Sequence, residues 1–159
     1  MPFSAKCFIA SMIMAAFLST AHAANIYVDQ TLSSDCTGGN YSIAKRNCSG
    51  SDGDAYNTIQ KAVNAMRSGD DIFLRGGTYY LGGSGVVIPY TMSGSPDNWN
   101  SIQSYPGEWA ILDGENNMST RALLGYTSSG DSGPLSYWKF ERLEFARADN
   151  VTENRATAI

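Results

Sequence analysis

Residues 67–81 read RSGDDIFLRGGTYYL, and two readings of this stretch lead to different proteins. Two adjacent aspartates and two arginines in so short a run suggest a catalytic or metal-binding cluster. The other reading is a connection from a helix to a strand. Successive side chains of a strand point to opposite faces, so Asp70 and Asp71 would diverge, a poor start for a shared metal or an acid–base pair. Asp70 instead reads as a turn residue and Asp71 as the start of a strand. Ile72 and Leu74 then face inward and Phe73 and Arg75 outward, or the reverse if the register slips by one. Gly76-Gly77 turns the chain again, and Arg75 just before it reads as a solvated edge arginine.

The flanking sequence favours the connection. Upstream, NTIQKAVNAM (57–66) places Ile59, Ala62, Val63 and Met66 on one face at helical spacing. Asn57 or Thr58 can cap this helix; with Asn57 as the cap, Gln60 would complete a capping box, and Gly69 is placed to end the helix in a left-handed conformation. Downstream, DIFLR, GVVIPY, NSIQSY, WAILDG, TRALLGY and SYWKFERLEF are short β-rich runs separated by Gly, Ser, Pro, Asn and Asp, with no second helix between them. Short strands without crossover helices imply an all-β sandwich, barrel or solenoid. In the last run Trp138 and Phe140 alternate with Lys139, then Leu143 and Phe145 alternate with Glu144. The phase slips at Glu141-Arg142, as where a coil bends or a strand bulges.

The N-terminus has its own signature. Lys6, the apolar run from Cys7 to Leu18 and small residues flanking His22 form a secretory signal, giving a mature chain from Ala24. Its apolar run is too short to span a bilayer. Loss of Lys6 and His22 leaves the chain one unit more acidic than the −4 of the full sequence, and without histidine. Ser-His-Asp and Cys-His nucleophile systems and histidine-based zinc sites are thereby excluded. The acidic balance gives no basic footprint for nucleic acid. Export makes Cys36 and Cys48 the natural disulfide, tethering a Gly- and Ser-rich loop. The domain organisation expected is a signal peptide (1–23), an N-terminal strand and disulfide-tethered loop (24–56), and a helix followed by coils (57–159).

A longer pattern is more specific. TIQKAV, SGDDIFLRGGTY, SIQSYPGEWAILDG and YWKFERLEF in that order resemble the N-terminal part of secreted right-handed parallel β-helix proteins. The likeness is to pectate lyases of polysaccharide lyase family nine and related proteins, over Ile26 to Asp149. The resemblance implies a pectin-lyase-like solenoid whose N-terminal end is covered by an amphipathic helix, Asn57 to Arg67. It implies secretion to an extracellular or periplasmic space and an acidic polysaccharide such as pectate as partner, with no membrane once the signal is removed. It also implies β-elimination by a Lys or Arg base, with calcium held by carboxylates as cofactor. Where such proteins commonly carry Pro-Gly-Asp after the helix, this chain has Ser68-Gly69-Asp70. About three coils of roughly 20–30 residues fit between Asp71 and Ile159, so a truncated product is expected, inactive by itself.

No position matches the family's catalytic or calcium residues, so none is carried over. Asp52 and Asp54 in SGSDGDAYNT look faintly like a calcium loop but lack its later ligands, and turn chemistry explains them. Asp113, in the Asp-Gly of LDGEN, reads as a turn residue. Glu141, Arg142, Glu144 and Arg147 form the densest charged group and read as a solvated face, or as the start of a sugar-binding one. Among the aromatics, Trp99 in SPDNWNS is the best candidate for stacking on a sugar. Tyr105 is a further candidate, whereas Trp109 reads as packing a core or corner. Two functions remain: a polysaccharide lyase, and a non-catalytic β-helix module that binds glycans or a cell surface. A glycoside hydrolase would need paired carboxylates across a groove, which no spacing here provides.

Overall fold

The computed structural model describes residues 23–118, 122–126 and 134–148; the expected signal, apart from Ala23, lies outside them. The elements run β1 (Asn25–Val28), β2 (Asp54–Tyr56), α1 (Ile59–Ala65), β3 (Asp71–Leu74), β4 (Gly77–Tyr80), β5 (Val86–Ile88), β6 (Asn100–Ser104), β7 (Ala110–Asp113), β8 (Leu124–Tyr126), β9 (Trp138–Glu141) and β10 (Leu143–Ala146). They form three sheets, ordered β2-β1-β3-β6-β9, β10-β7-β4 and β5-β8. Every strand pairing within these sheets is parallel. A parallel pair needs a long return path, and from β3 onward the return is made by the other two sheets rather than by helices. The coils beginning at β3 and β6 each contribute one strand to each sheet, β9 and β10 begin the next, and the coils stack: this is a parallel β-helix.

Register explains why the sequence selects it. Ile26, Ile72, Ile102 and Phe140 are successive partners across the first sheet, and Tyr79, Leu112 and Phe145 interlock across the second. Ile72, Leu74, Ile102 and Leu112 have no exposed surface. Each contributes roughly 1.5–3 kcal/mol by leaving water. The expected phase is therefore the correct one, with Ile72 and Leu74 inside. Phe73 faces out and packs on Tyr27 and Tyr105 in a second cluster formed with the N-terminal loop. The phase slip between Phe140 and Leu143 is a corner: Arg142 adopts φ 55° between β9 and β10, so both pairs turn toward the same core.

The lid is shorter than its apolar pattern suggests. Thr58 is the cap, its Oγ1 accepting from the Lys61 N–H at 3.3 Å. Gln60 forms no capping box; its carboxamide donates to the Val87 carbonyl at 3.0 Å and accepts from the Val87 N–H at 2.8 Å. Gln60 thus acts as a strand surrogate that closes an open edge of β5. The helix ends at an extended Met66, not at Gly69. Gly69 instead shapes the next turn with φ 92°, where an added Cβ would overlap the Asn98 carboxamide. Asp70 closes that turn by accepting from the N–H groups of Arg67 and Ala24 at 2.7 and 2.9 Å. With Ile59, Ala62, Val63 and Met66 buried over the coil end, residues 67–81 are the hinge from lid to first coil. Among the described residues no helix is long and apolar enough to cross a membrane.

Cys36 and Cys48 form a disulfide. It closes the loop between β1 and β2, which lays Tyr41, Ile43 and Arg46 against the outside of the first coil.

Candidate functional site

The charges of the opening stretch do not converge on a reaction centre. Arg75 is buried, contrary to the solvated edge expected for it, at 5% exposure. It sits in a chain of alternating charge. Arg46 donates to Asp29 at 2.6 and 2.8 Å, and the Tyr41 hydroxyl donates to Asp29 at 2.7 Å. The same hydroxyl accepts from Arg75 at 2.8 Å, and Arg75 grips Glu108 with contacts of 2.6 and 3.0 Å. Glu108 gets there through the Pro106-Gly107 turn, in which Gly107 has φ 80° and the Glu108 N–H returns to the Tyr105 carbonyl. Sequence reading missed this chain because its members lie on four separate segments.

Its electrostatics rule out Arg75 as a proton acceptor. Burial pulls the guanidinium pKa down, but Glu108 and Tyr41 more than reverse this, so the group is held charged more firmly than usual. A base for β-elimination needs the opposite shift. Burial raises Asp29, yet the hydrogen bonds from Arg46, Thr31 and Tyr41 bring it well below the usual carboxylate range. Burial and the neighbouring Asp29 push Tyr41 up to about 12. These groups lock the disulfide loop to the first two coils, and every one already has partners.

Asp113 is more than a turn residue. It accepts from the Glu115 N–H at 2.8 Å, and is also clasped by Arg147 from the next coil at 2.6 and 2.8 Å, which lowers its pKa. Asp52 and Asp54 cap loop N–H groups, of Ile43 and Gly39 respectively. Among the described residues no three His, Cys, Asp or Glu side chains come together as a metal site requires. The implied calcium therefore has no ligand set among the described residues.

The expected group Glu141, Arg142, Glu144 and Arg147 divides between two faces. Glu144 and Arg147 belong to the second sheet. Glu141 and Arg142 belong to the outer face of the first, where an ordered polar chain crosses three coils. Ser101 Oγ donates to Asp71, Gln103 donates to Ser101 Oγ at 2.9 Å, and Arg142 donates to Gln103 at 2.7 Å. Arg142 also lies 3.7 Å from Glu141. Beside this chain, Trp99 and Tyr137 are exposed and meet edge to face at 5.7 Å. Lys139 pairs in register with Ser101, and its Nζ lies 5.6 Å from the centre of the Trp99 ring. Among the described residues Lys139 has no carboxylate at ion-pair distance.

Among the described residues this is the arrangement best suited to a sugar acid: a lysine without a carboxylate partner there, two exposed aromatic rings beside it, and the Gln103 and Arg142 side chains on the same face. Trp99 was legible from its loop context; the alternation of Lys139 with Trp138 and Phe140 gave its outward direction but no functional signal. Tyr137 had no signal of its own. Tyr105 is half-buried, packed against Tyr27 and Phe73 and under the Arg75 guanidinium at 4.9 Å. Trp109, expected to pack a core or a corner, stands just before β7 with 55% exposure.

Stacked parallel coils, an N-terminal helical lid and a polar, aromatic outer sheet face define the class of parallel β-helix proteins. Within that class the chain is similar to pectate lyase PEL9 of Emericella nidulans, 37% identical over 93 residues. The match covers 55% of this chain and 22% of that relative, so the chain spans about a fifth of its length. No family model matches, and no solved structure matches.

Proposed function

We propose that this chain is the N-terminal part of a secreted, pectate-lyase-like polysaccharide lyase that cleaves an acidic polysaccharide by β-elimination, with residues 1–23 removed on export. The observation that carries the reading is the similarity to a pectate lyase in a chain that folds as a parallel β-helix. The outer face of the first sheet supports it, since Lys139 beside Trp99 and Tyr137 offers a charge for a uronate carboxylate and rings for its C–H face. In this reading that face binds substrate, while the base and the calcium ligands come from elsewhere in the lyase. β-Elimination demands a neutralised carboxylate next to the carbon that loses its proton, and a base whose charge is suppressed. Arg75 and Arg147, each clasped by a carboxylate, are structural here.

Incubation of the purified chain with polygalacturonate and calcium, followed by ultraviolet absorbance of unsaturated uronate ends, is the test. No turnover by this chain alone, with turnover by a version extended through further coils, is the expected result. Turnover by the chain alone would overturn the division of labour. A second reading, a non-catalytic module that binds glycan or a cell surface, is favoured by the same Arg75–Glu108 and Arg147–Asp113 pairs, which occupy the charges a lyase would leave free. It predicts binding without turnover even in the extended version.

A further inference from the structure

The second sheet has an outer face of different chemistry. Trp109 O accepts from the Gly77 N–H, so Trp109 stands at the start of that face, and Tyr80 pairs with Asp113 at its far end. Both rings are exposed, Trp109 at 55% and Tyr80 at 64%, the two highest values among the large exposed hydrophobic side chains. Between them lies the register row Thr78, Ile111 and Glu144. Four residues of strand rise separate the two rings, about 13 Å along the sheet. The indole is not free to swing: its Nε1–H donates to Glu144 at 2.7 Å, from the adjacent coil. A ring that is both exposed and held in place is unusual for a residue whose only role is packing.

The charge on this face is opposite to that around Lys139. Arg147 is matched by Asp113 and Glu108 by Arg75, which leaves Glu144 without a cationic partner at ion-pair distance among the described residues. An unmatched carboxylate beside the anchoring ring repels a polyuronate. It welcomes hydroxyl donors. Pyranoses with equatorial substituents expose flat C–H faces suited to aromatic rings, and a chain of them is itself flat, like the sheet.

We infer that the outer face of the second sheet is a docking platform for a neutral, flat β-linked polysaccharide of the β-1,4-glucan kind, distinct from the acidic-sugar face of the first sheet. Trp109 and Tyr80 stack on two sugar units of the same chain, and Glu144 accepts from a hydroxyl between them while fixing the indole. The platform would hold the protein on neutral wall polymer while the other face meets acidic polymer.

Titration calorimetry with cellohexaose, and with polygalacturonate as the charged comparator, tests this on the secreted, disulfide-bonded protein. Cellohexaose is expected to bind the unaltered protein. Trp109→Ala and Tyr80→Ala are each expected to weaken it about tenfold. Both tested rings are exposed, and retained circular dichroism and melting temperature verify the fold. Glu144→Gln keeps an acceptor for the indole but removes the charge, so it should retain cellohexaose binding and strengthen polygalacturonate binding. Absence of cellohexaose binding, or binding indifferent to both ring substitutions, would overturn the inference, as would a platform that takes polygalacturonate in preference.

Discussion

Replacing Glu108 with alanine removes the carboxylate that Arg75 grips, and the loss can be worked out from the geometry. The Arg75 side chain is 6% exposed and that of Glu108 26%, with their closest contact at 2.6 Å. Removing one partner of a buried ion pair costs about 3–5 kcal/mol, because the other charge stays behind in low dielectric. Here water reaches the carboxylate side, and Arg75 keeps the Tyr41 hydroxyl and the Ile43 carbonyl, each at 2.8 Å. The Gly76 N–H, however, also loses its acceptor. Glu108→Ala should therefore destabilise by about 3 kcal/mol, at the lower end of that range. That is a large share of the roughly 5–15 kcal/mol of an ordinary domain. Urea unfolding followed by circular dichroism reads it directly. Adding Arg75→Met should recover part of the loss, since an apolar group needs no counter-charge. A cost below about 0.5 kcal/mol, or no recovery in the double variant, would refute the view of Arg75–Glu108 as a buried, coupled pair.

Acid should unfold the protein by the same chemistry. Asp29 and Glu108 titrate below the ordinary 3.8 of aspartate and 4.5 of glutamate in the folded state, so the unfolded chain takes up protons first. Stability should be full above those values and fall as pH drops through and below them, with Arg46→Met flattening the profile; a melting temperature flat from pH 6 to 3 would contradict this. Reducing Cys36–Cys48, or replacing both with serine, should cost about 3 kcal/mol and loosen Tyr41 and Arg46 first, as seen by hydrogen exchange. Gly69→Ala should destabilise by about 1 kcal/mol in thermal melts, because it forces a left-handed φ on alanine; the Asn98 carboxamide that the new Cβ meets can swing aside.

What the sequence made legible follows from the range of the physics involved. The lid helix, the inward Ile72 and Leu74 and the corner after Glu141 depend on periodicity within one element, and each is visible in a short window. Arg75 was misread because its burial depends on Tyr41 and Glu108, more than thirty residues away on either side. No window contains both. Gly69 was assigned the right conformation but the wrong task, since the helix stops at Met66 before reaching it. Trp109 looked like packing because apolar residues follow it; the register that turns it outward belongs to the neighbouring coils. The candidate acidic-sugar face was half visible. Lys139 and Trp99 lie far apart in the chain, and only coil stacking brings them together.

The central claim, that the outer face of the first sheet meets an acidic polysaccharide, is tested most directly by affinity electrophoresis in gels containing polygalacturonate. The unaltered protein should be retarded relative to gels without polymer, salt should release it, and Lys139→Glu should abolish the retardation without altering the fold. Equal retardation of the unaltered protein and Lys139→Glu, or none for either in low salt, would contradict it.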